Sequence, residues 1–351
     1  MLINKLNEIK TNIRWKDWGI DKIPVLFSIC FYLIFINGRS AQTNISDFFV
    51  FLFFSVVSTL YGFGINDYAD LEIDRIHGKR NIFFYLSGYK KNIVLIMLSL
   101  FVLVSGLYFI RKPYFIVLWI IQLFIATFYS LPPIRFKERG TIGLIIPFFA
   151  QLVLPTLICF SIFGEVFSLV CLYFLIYSIF KGGAYDIGHQ FHDHILDSKT
   201  NTTTFAVKHG KKIVLYLFNI FLVLERIFFL FILIMLLNTI RIDLQSFYFN
   251  PFFIALSIDI ILLILVFMEE IRKKSVVDPY FDDIRGLGNI LHVIFPNVIF
   301  PLLILFALFF NDKYYLALLV FFIIWIFPTP QKVLWPLRTF WQVAKKIIPV
   351  R

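Results

Sequence analysis

Charge is what this 351-residue chain has least of. Asp, Glu, Lys and Arg together make up 16% of it, against about a quarter in an ordinary soluble domain. That scarcity, beside 60% hydrophobic residues and a mean hydropathy of +0.83, excludes a soluble globular enzyme of this length. Cysteine is scarce too. Cys30, Cys159 and Cys171 all lie inside apolar runs with no CxxC spacing, which excludes a zinc knuckle and a disulfide framework. Histidine numbers six. His189, His192 and His194 flank Asp193, yet they supply no closed ligand set for a transition metal, and hydrogen bonding or anion contact is the simpler role. A cleavable leader is not expected, because residues 1–22 are polar and basic without a small-residue cleavage site.

What the chain has in abundance is apolar length. Ten runs stand out, at 23–37, 48–65, 93–110, 114–131, 142–163, 166–180, 213–237, 251–268, 290–310 and 314–327. Most approach the ~20 residues that cross a bilayer as a helix, and the first, sixth and last are short. The expectation is an all-α bundle of nine to ten transmembrane helices. Residues 1–22 form an interfacial segment, 23–310 a nine-span core, and 311–351 a short extra span with a basic amphipathic tail. The net charge of +11 is laid out by side. Of 33 Lys and Arg residues, 26 fall before the first run, in 66–91, 132–140, 188–212 and 269–289, and after 328. The positive-inside rule makes that side cytoplasmic, so the protein is expected in the cytoplasmic membrane. The basic excess then reads as topology and contact with anionic membrane lipids, with no nucleic acid required.

The few acids that remain are grouped. Asn66-Asp67-Tyr-Ala-Asp70-Leu-Glu-Ile-Asp74 follows the second run, and its three aspartates at i, i+3, i+7 share one helical face. Gln190, Asp193 and Asp197 repeat the spacing after the sixth run, with Asp186 one turn earlier. Hard oxygen ligands in this arrangement suit Mg²⁺ held together with a phosphate-bearing substrate. Between them lies Tyr129-Ser-Leu-Pro132-Pro133-Ile-Arg135-Phe-Lys137, in which the prolines stop the fourth run and set two cations beside the interface. Other buried-run charges, Lys181, Glu225, Arg226 and Asp259, are costly in a bilayer; a structural Arg226–carboxylate pair is the favoured reading.

These motifs resemble the signatures of the UbiA superfamily of intramembrane prenyltransferases: NDxxDxxxD, YSxPPxRxK and DxxDxxxD, in this order and after these runs. The first two are complete here and the third is partial, with Gln190 for its first aspartate. The resemblance implies helices around a tunnel open to lipid and transfer of a prenyl group from an isoprenyl diphosphate to a lipophilic or aromatic acceptor. It implies two Mg²⁺ ions on Asp67, Asp70, Asp74, Asp193 and Asp197. Substrate contacts would come from Asn66, Lys79, Arg80, Tyr129, Arg135, Lys137, Gln190 and Lys199. Asn81 stands where the family has proline, and Thr203 lacks a cation that the family commonly has. Asp74-Arg-Ile-His-Gly-Lys-Arg80 also resembles a branch that transfers phosphoribose onto polyprenyl phosphate. A non-catalytic lipid-binding homologue is the remaining alternative.

Overall fold

The computed structural model describes residues 14–326, apart from 20, 77, 79–80, 200–203, 238, 240–241, 244–247, 274–277 and 282–285, and without the side chains of 16, 17, 196, 199, 242, 243, 248 and 249. Lys79, Arg80, Thr203, the Lys199 side chain and the amphipathic tail therefore lie outside the described residues, as does most of the N-terminal segment.

Every apolar run is helical. A short turn α1 (Trp15–Trp18) leads into α2 (Ile23–Ile36), then α3 (Ala41–Ala69), α4 (Leu71–Ile76), α5 (Gly88–Leu107) and α6 (Phe115–Ser130). They are followed by α7 (Thr141–Phe163), α8 (Leu169–Lys199), α9 (Phe205–Leu236), α10 (Pro251–Lys273), α11 (Leu287–Asn311) and α12 (Leu316–Ile326). The strands among the described residues are one two-residue pair, Ile242–Asp243 against Tyr248–Phe249. Among the described residues seven helices are long and apolar enough to span a bilayer: α3, α5, α7, α8, α9, α10 and α11. The helices over the first, fourth and tenth runs are shorter.

The sixth run is not the short span its composition suggests. Its helix is 31 residues long and runs through the third motif to Lys199. Polar residues there keep helical spacing, so nothing stops the helix at the end of the apolar stretch. The first motif departs from expectation in the opposite sense. Rather than one continuous helix, α3 ends at Ala69, Asp70 takes φ −104°, ψ 11°, and Asp74 sits on the separate α4. Hydrogen bonds from Asp70 N–H to the Asn66 carbonyl (3.0 Å) and from Asp74 N–H to the Asp70 carbonyl (2.8 Å) carry the chain through the break.

Helix α2 is buried from Ile23 to Ile34 and packs against α7 and α11, which makes it the central rod of the bundle. Phe27, at its middle, meets Phe31, Phe48, Phe322 and Trp325 at ring-centroid distances of 5.4–5.9 Å. By contrast α5 shows Leu100, Leu103, Val104 and Leu107 on its surface, as a helix facing hydrocarbon does. At the end of the bundle opposite the motifs, Asp47 gathers Arg39 (3.1 Å), Lys112 (3.6 Å) and the Tyr108 hydroxyl (3.0 Å).

Candidate functional site

Three helix ends and one loop converge at the motif side. Leu131 is extended ahead of Pro132, as a residue before proline must be, and α6 stops there. Its last residue, Ser130, donates from Oγ to Asn66 Oδ1 at 2.6 Å, so α3 and α6 end at the same level. The loop beyond then folds back. Gly143 permits this, because a Cβ at that position would lie 2.6 Å from the Lys137 carbonyl. Folded back, the loop directs both of its motif cations at one carboxylate. Lys137 Nζ is bonded to Asp70 Oδ1, and Arg135 Nη2 lies 3.5 Å from the same oxygen. A backbone bridge between Gly140 and Thr204 ties this loop to the start of α9.

The remaining aspartates have different neighbours. Asp67 Oδ1 pairs with Arg14 Nη1 at 3.1 Å, and its carboxyl is almost fully buried. Asp74 Oδ2 accepts from Asn81 Nδ2 at 2.8 Å, and the same amide also donates to the Asp67 carbonyl. The asparagine that replaces a family proline thus joins α3 to α4 and holds the broken stripe together. Asp70 and Asp74 are close enough to Asp67 to act on it electrostatically. Across the site, Asp70, Asp186 and Asp197 all act on the Tyr129 hydroxyl, which places the first motif and α8 around a common point. Asp193 faces His189 Nδ1 at 3.6 Å. Gln190 accepts the Ala206 N–H at 3.3 Å and so braces the start of α9. His192 bonds Asp278 at 2.9 Å. No three His, Cys, Asp or Glu side chains among the described residues converge as a ready-made metal cage. That suits an ion completed by substrate phosphates and water rather than by protein alone.

Below this mouth lies a cavity of about 400 Å³. Asn66, Tyr129, Gln190 and Asp186 line it, as do Arg14, Lys22, Tyr185 and Phe281, which the motifs do not single out. Phe281 belongs to a segment, 278–281, held from two directions. Asp278 takes His192 of α8, and the Tyr280 hydroxyl donates to Glu225 of α9 at 3.1 Å. Glu225 in turn receives His292 Nδ1 at 2.9 Å and lies 3.5 Å from Lys181 Nζ. Burial beside that carboxylate pushes the Tyr280 phenol well above its ordinary range, so it stays protonated and keeps donating.

Lys137 is expected to leave a kinetic signature. Burial lowers its ammonium below the usual lysine value, and the neighbouring Asp70 opposes this without cancelling it. The charged form is the one that holds an anion. Activity should therefore fall as pH rises through a value below the ordinary ~10.4 of lysine. Lys137→Arg should move that alkaline limb upward, as read from a pH profile of kcat/KM.

A family model for UbiA prenyltransferases matches residues 25–278 of the chain. The chain belongs to the UbiA prenyltransferase family. Solved structures of similar fold include a UbiA homologue from Archaeoglobus fulgidus bound to DMAPP and Mg²⁺. It is 17% identical, with 89% of this chain and 98% of that one covered and a TM-score of 0.57. The same homologue bound to GPP and Mg²⁺ gives the same identity and TM-score over 89% and 99%. A digeranylgeranylglyceryl phosphate synthase is 21% identical over 87% and 99%, with a TM-score of 0.57. No curated protein sequence matches the chain. The UbiA assignment makes this an integral membrane protein with a prenyltransferase fold.

Proposed function

We propose that the protein transfers a prenyl group from an isoprenyl diphosphate to a lipophilic acceptor, with Mg²⁺ as the cofactor. The observation that carries this reading is the meeting of Asp70 with Lys137 and Arg135 above a cavity lined by Asn66, Tyr129 and Gln190. Acids and cations of one site need a ligand with both demands, and a metal-bound diphosphate is such a ligand. The homologue that binds DMAPP, GPP and Mg²⁺ supports the same reading. Asp67, Asp70, Asp74, Asp193 and Asp197 would hold the ions, which when bound supply charge that stabilises the departing diphosphate.

The chain's own residues do the rest. Arg135 and Lys137, which now meet Asp70, would supply cations to the diphosphate oxygens once Asp70 held a metal ion. Lys79, Arg80 and Lys199, assigned from the motifs alone, would add further cations. Asn66, fixed by Ser130, orients an amide at the cavity mouth. Tyr185, Phe281 and Phe63 line the cavity, and an aromatic wall of this kind would shield a reacting carbon from water and favour attack by the acceptor over hydrolysis.

Purified protein offered labelled isoprenyl diphosphates, phosphoribosyl diphosphate or neither, each with a membrane-lipid extract, tests the reading. Transfer from an isoprenyl diphosphate that stops on chelation is the expected result. Transfer of phosphoribose would assign the chain to the other branch, and no turnover with any donor would leave a lipid-binding role. The orientation is tested separately. Cysteines introduced at 89, 138 and 211 should be labelled from the cytoplasmic side, and labelling from outside would overturn the placement of the site.

A further inference from the structure

Halfway down the cavity the wall turns polar. Ser58 lies eight residues before Asn66 on α3, and Gln122 lies eight residues before Ser130 on α6. Since Asn66 and Ser130 are bonded to each other, the two side chains stand at one depth, about 12 Å below the mouth. Both line the cavity. Ser58 Oγ and Gln122 Oε1 are buried, and neither has a hydrogen-bond partner among the described residues.

The Gln122 amide is oriented by an irregularity in α7. The helix passes through a π turn at Phe149–Val153, which sends the Leu154 N–H back to the Phe149 carbonyl. The next donor in that register would be residue 155, a proline with no N–H. The Ala150 carbonyl is thereby released from the helix, and Gln122 Nε2 donates to it at 3.4 Å. This fixes the amide nitrogen against α7 and leaves Oε1 as the atom offered to the cavity. The nearby cations are engaged elsewhere on the wall: Arg14 with Asp67, and Lys22 with the Gln151 side chain.

Hydrocarbon laid over Ser58 and Gln122 leaves both unpaired, which is costly in a buried site. A prenyl chain is therefore a poor occupant of this face. A hydroxyl satisfies both at once, since it donates to Gln122 Oε1 and accepts from the Ser58 hydroxyl. We propose that Ser58 and Gln122 anchor a non-reacting hydroxyl of the acceptor, about 12 Å from the carboxylate end. The acceptor class that follows is a neutral, hydroxyl-bearing molecule with a polar group at each end of its bound length. Assigning the hydroxyl to an acceptor rests on the prenyl-transfer reading; the subsite itself does not.

Phenol and toluene share a ring and differ by the hydroxyl, so they probe the pair without knowledge of the acceptor. Added at equal concentration to the full-length protein in detergent, phenol should raise the apparent Tm more than toluene does. Gln122→Leu should remove most of that difference by leaving the toluene response intact, and Ser58→Ala should reduce it. Equal responses of the wild type to the two probes would overturn the subsite, as would a phenol preference that survives in both variants. Ser58→Ala deletes one atom and keeps the test available if Gln122→Leu fails to fold. Binding of geranyl S-thiolodiphosphate with Mg²⁺ to the same preparations separates the two readings. Its failure to bind the wild type would overturn the transfer reading, while the phenol comparison still decides the subsite.

Discussion

Asp70→Ala should lower prenyl transfer by at least about a hundredfold, with the protein still folded and correctly sized in detergent. The magnitude follows from losing a group that stabilises developing charge on the leaving diphosphate. Asp70 is the carboxylate on which Lys137 and Arg135 both close, and it sits at the break between α3 and α4. Removing it takes away the metal ligand proposed above and the counter-charge that pre-positions two cations. Asp67→Ala and Asp193→Ala should act in the same direction. Glu72 provides the control, since it lies in the same motif but is exposed on α4. Glu72→Ala should stay within about threefold of wild type, the scale of an ordinary surface change. Comparable losses at Glu72 and Asp70, measured as kcat/KM on matched preparations, would remove the basis for the site.

Asp259→Ala should be the most damaging single change to the bundle itself. Arg226 Nη2 lies 3.2 Å from Asp259 Oδ1, and both side chains are nearly or fully buried between α9 and α10. Arg226 is also bonded to the Leu291 carbonyl and stacks over Phe229 at 4.6 Å. Deleting the carboxylate leaves a guanidinium buried without its counter-charge, a loss of roughly 3–5 kcal/mol in comparable pairs. Thermal unfolding in detergent should show a large fall in Tm and a loss of the monodisperse species. Replacing both partners, Arg226→Met with Asp259→Leu, should recover most of the stability, because two apolar groups carry no desolvation cost. A double variant as unstable as the single one would mean that the charges themselves are required.

The apolar runs were enough to place the helices, because in hydrocarbon every backbone group must bond within its own helix. The motifs were enough to bring together much of the candidate site, since Asn66, Asp70, Arg135, Lys137 and Tyr129 do meet. The sequence pattern misled at two points. It drew the first motif as one helical face, whereas the chain breaks at Asp70 and Asn81 restores the alignment by bonding both halves. At the third motif the end of the apolar run suggested a short span, although the spacing of Asp186, Gln190, Asp193 and Asp197 is that of the helix that does run through it. Contacts made across long sequence separations were out of the pattern's reach. Arg14 is 53 residues from Asp67, and nothing in its local pattern of basic and aromatic residues marks it as a partner of the site. Phe281 and Gln122 reach the cavity through tertiary packing alone. That Arg226 pairs with a carboxylate was legible, because a lone intramembrane arginine needs one; that the partner is Asp259 rather than the adjacent Glu225 was not.

The double tether on residues 278–281 constrains how such an enzyme can be re-engineered or can diverge. Phe281 at the cavity mouth is held by Tyr280 and Asp278, whose partners sit on two other helices. A loop transplanted from a relative to alter substrate choice would arrive without Glu225 and His192 and would lose its footing. Loop, glutamate and histidine therefore form a single exchangeable cassette, although nearly ninety residues of chain separate its ends. Variation at Tyr280 or Asp278 should be accompanied by compensating variation at Glu225 or His192, and libraries that randomise the loop alone should return mostly inactive chains.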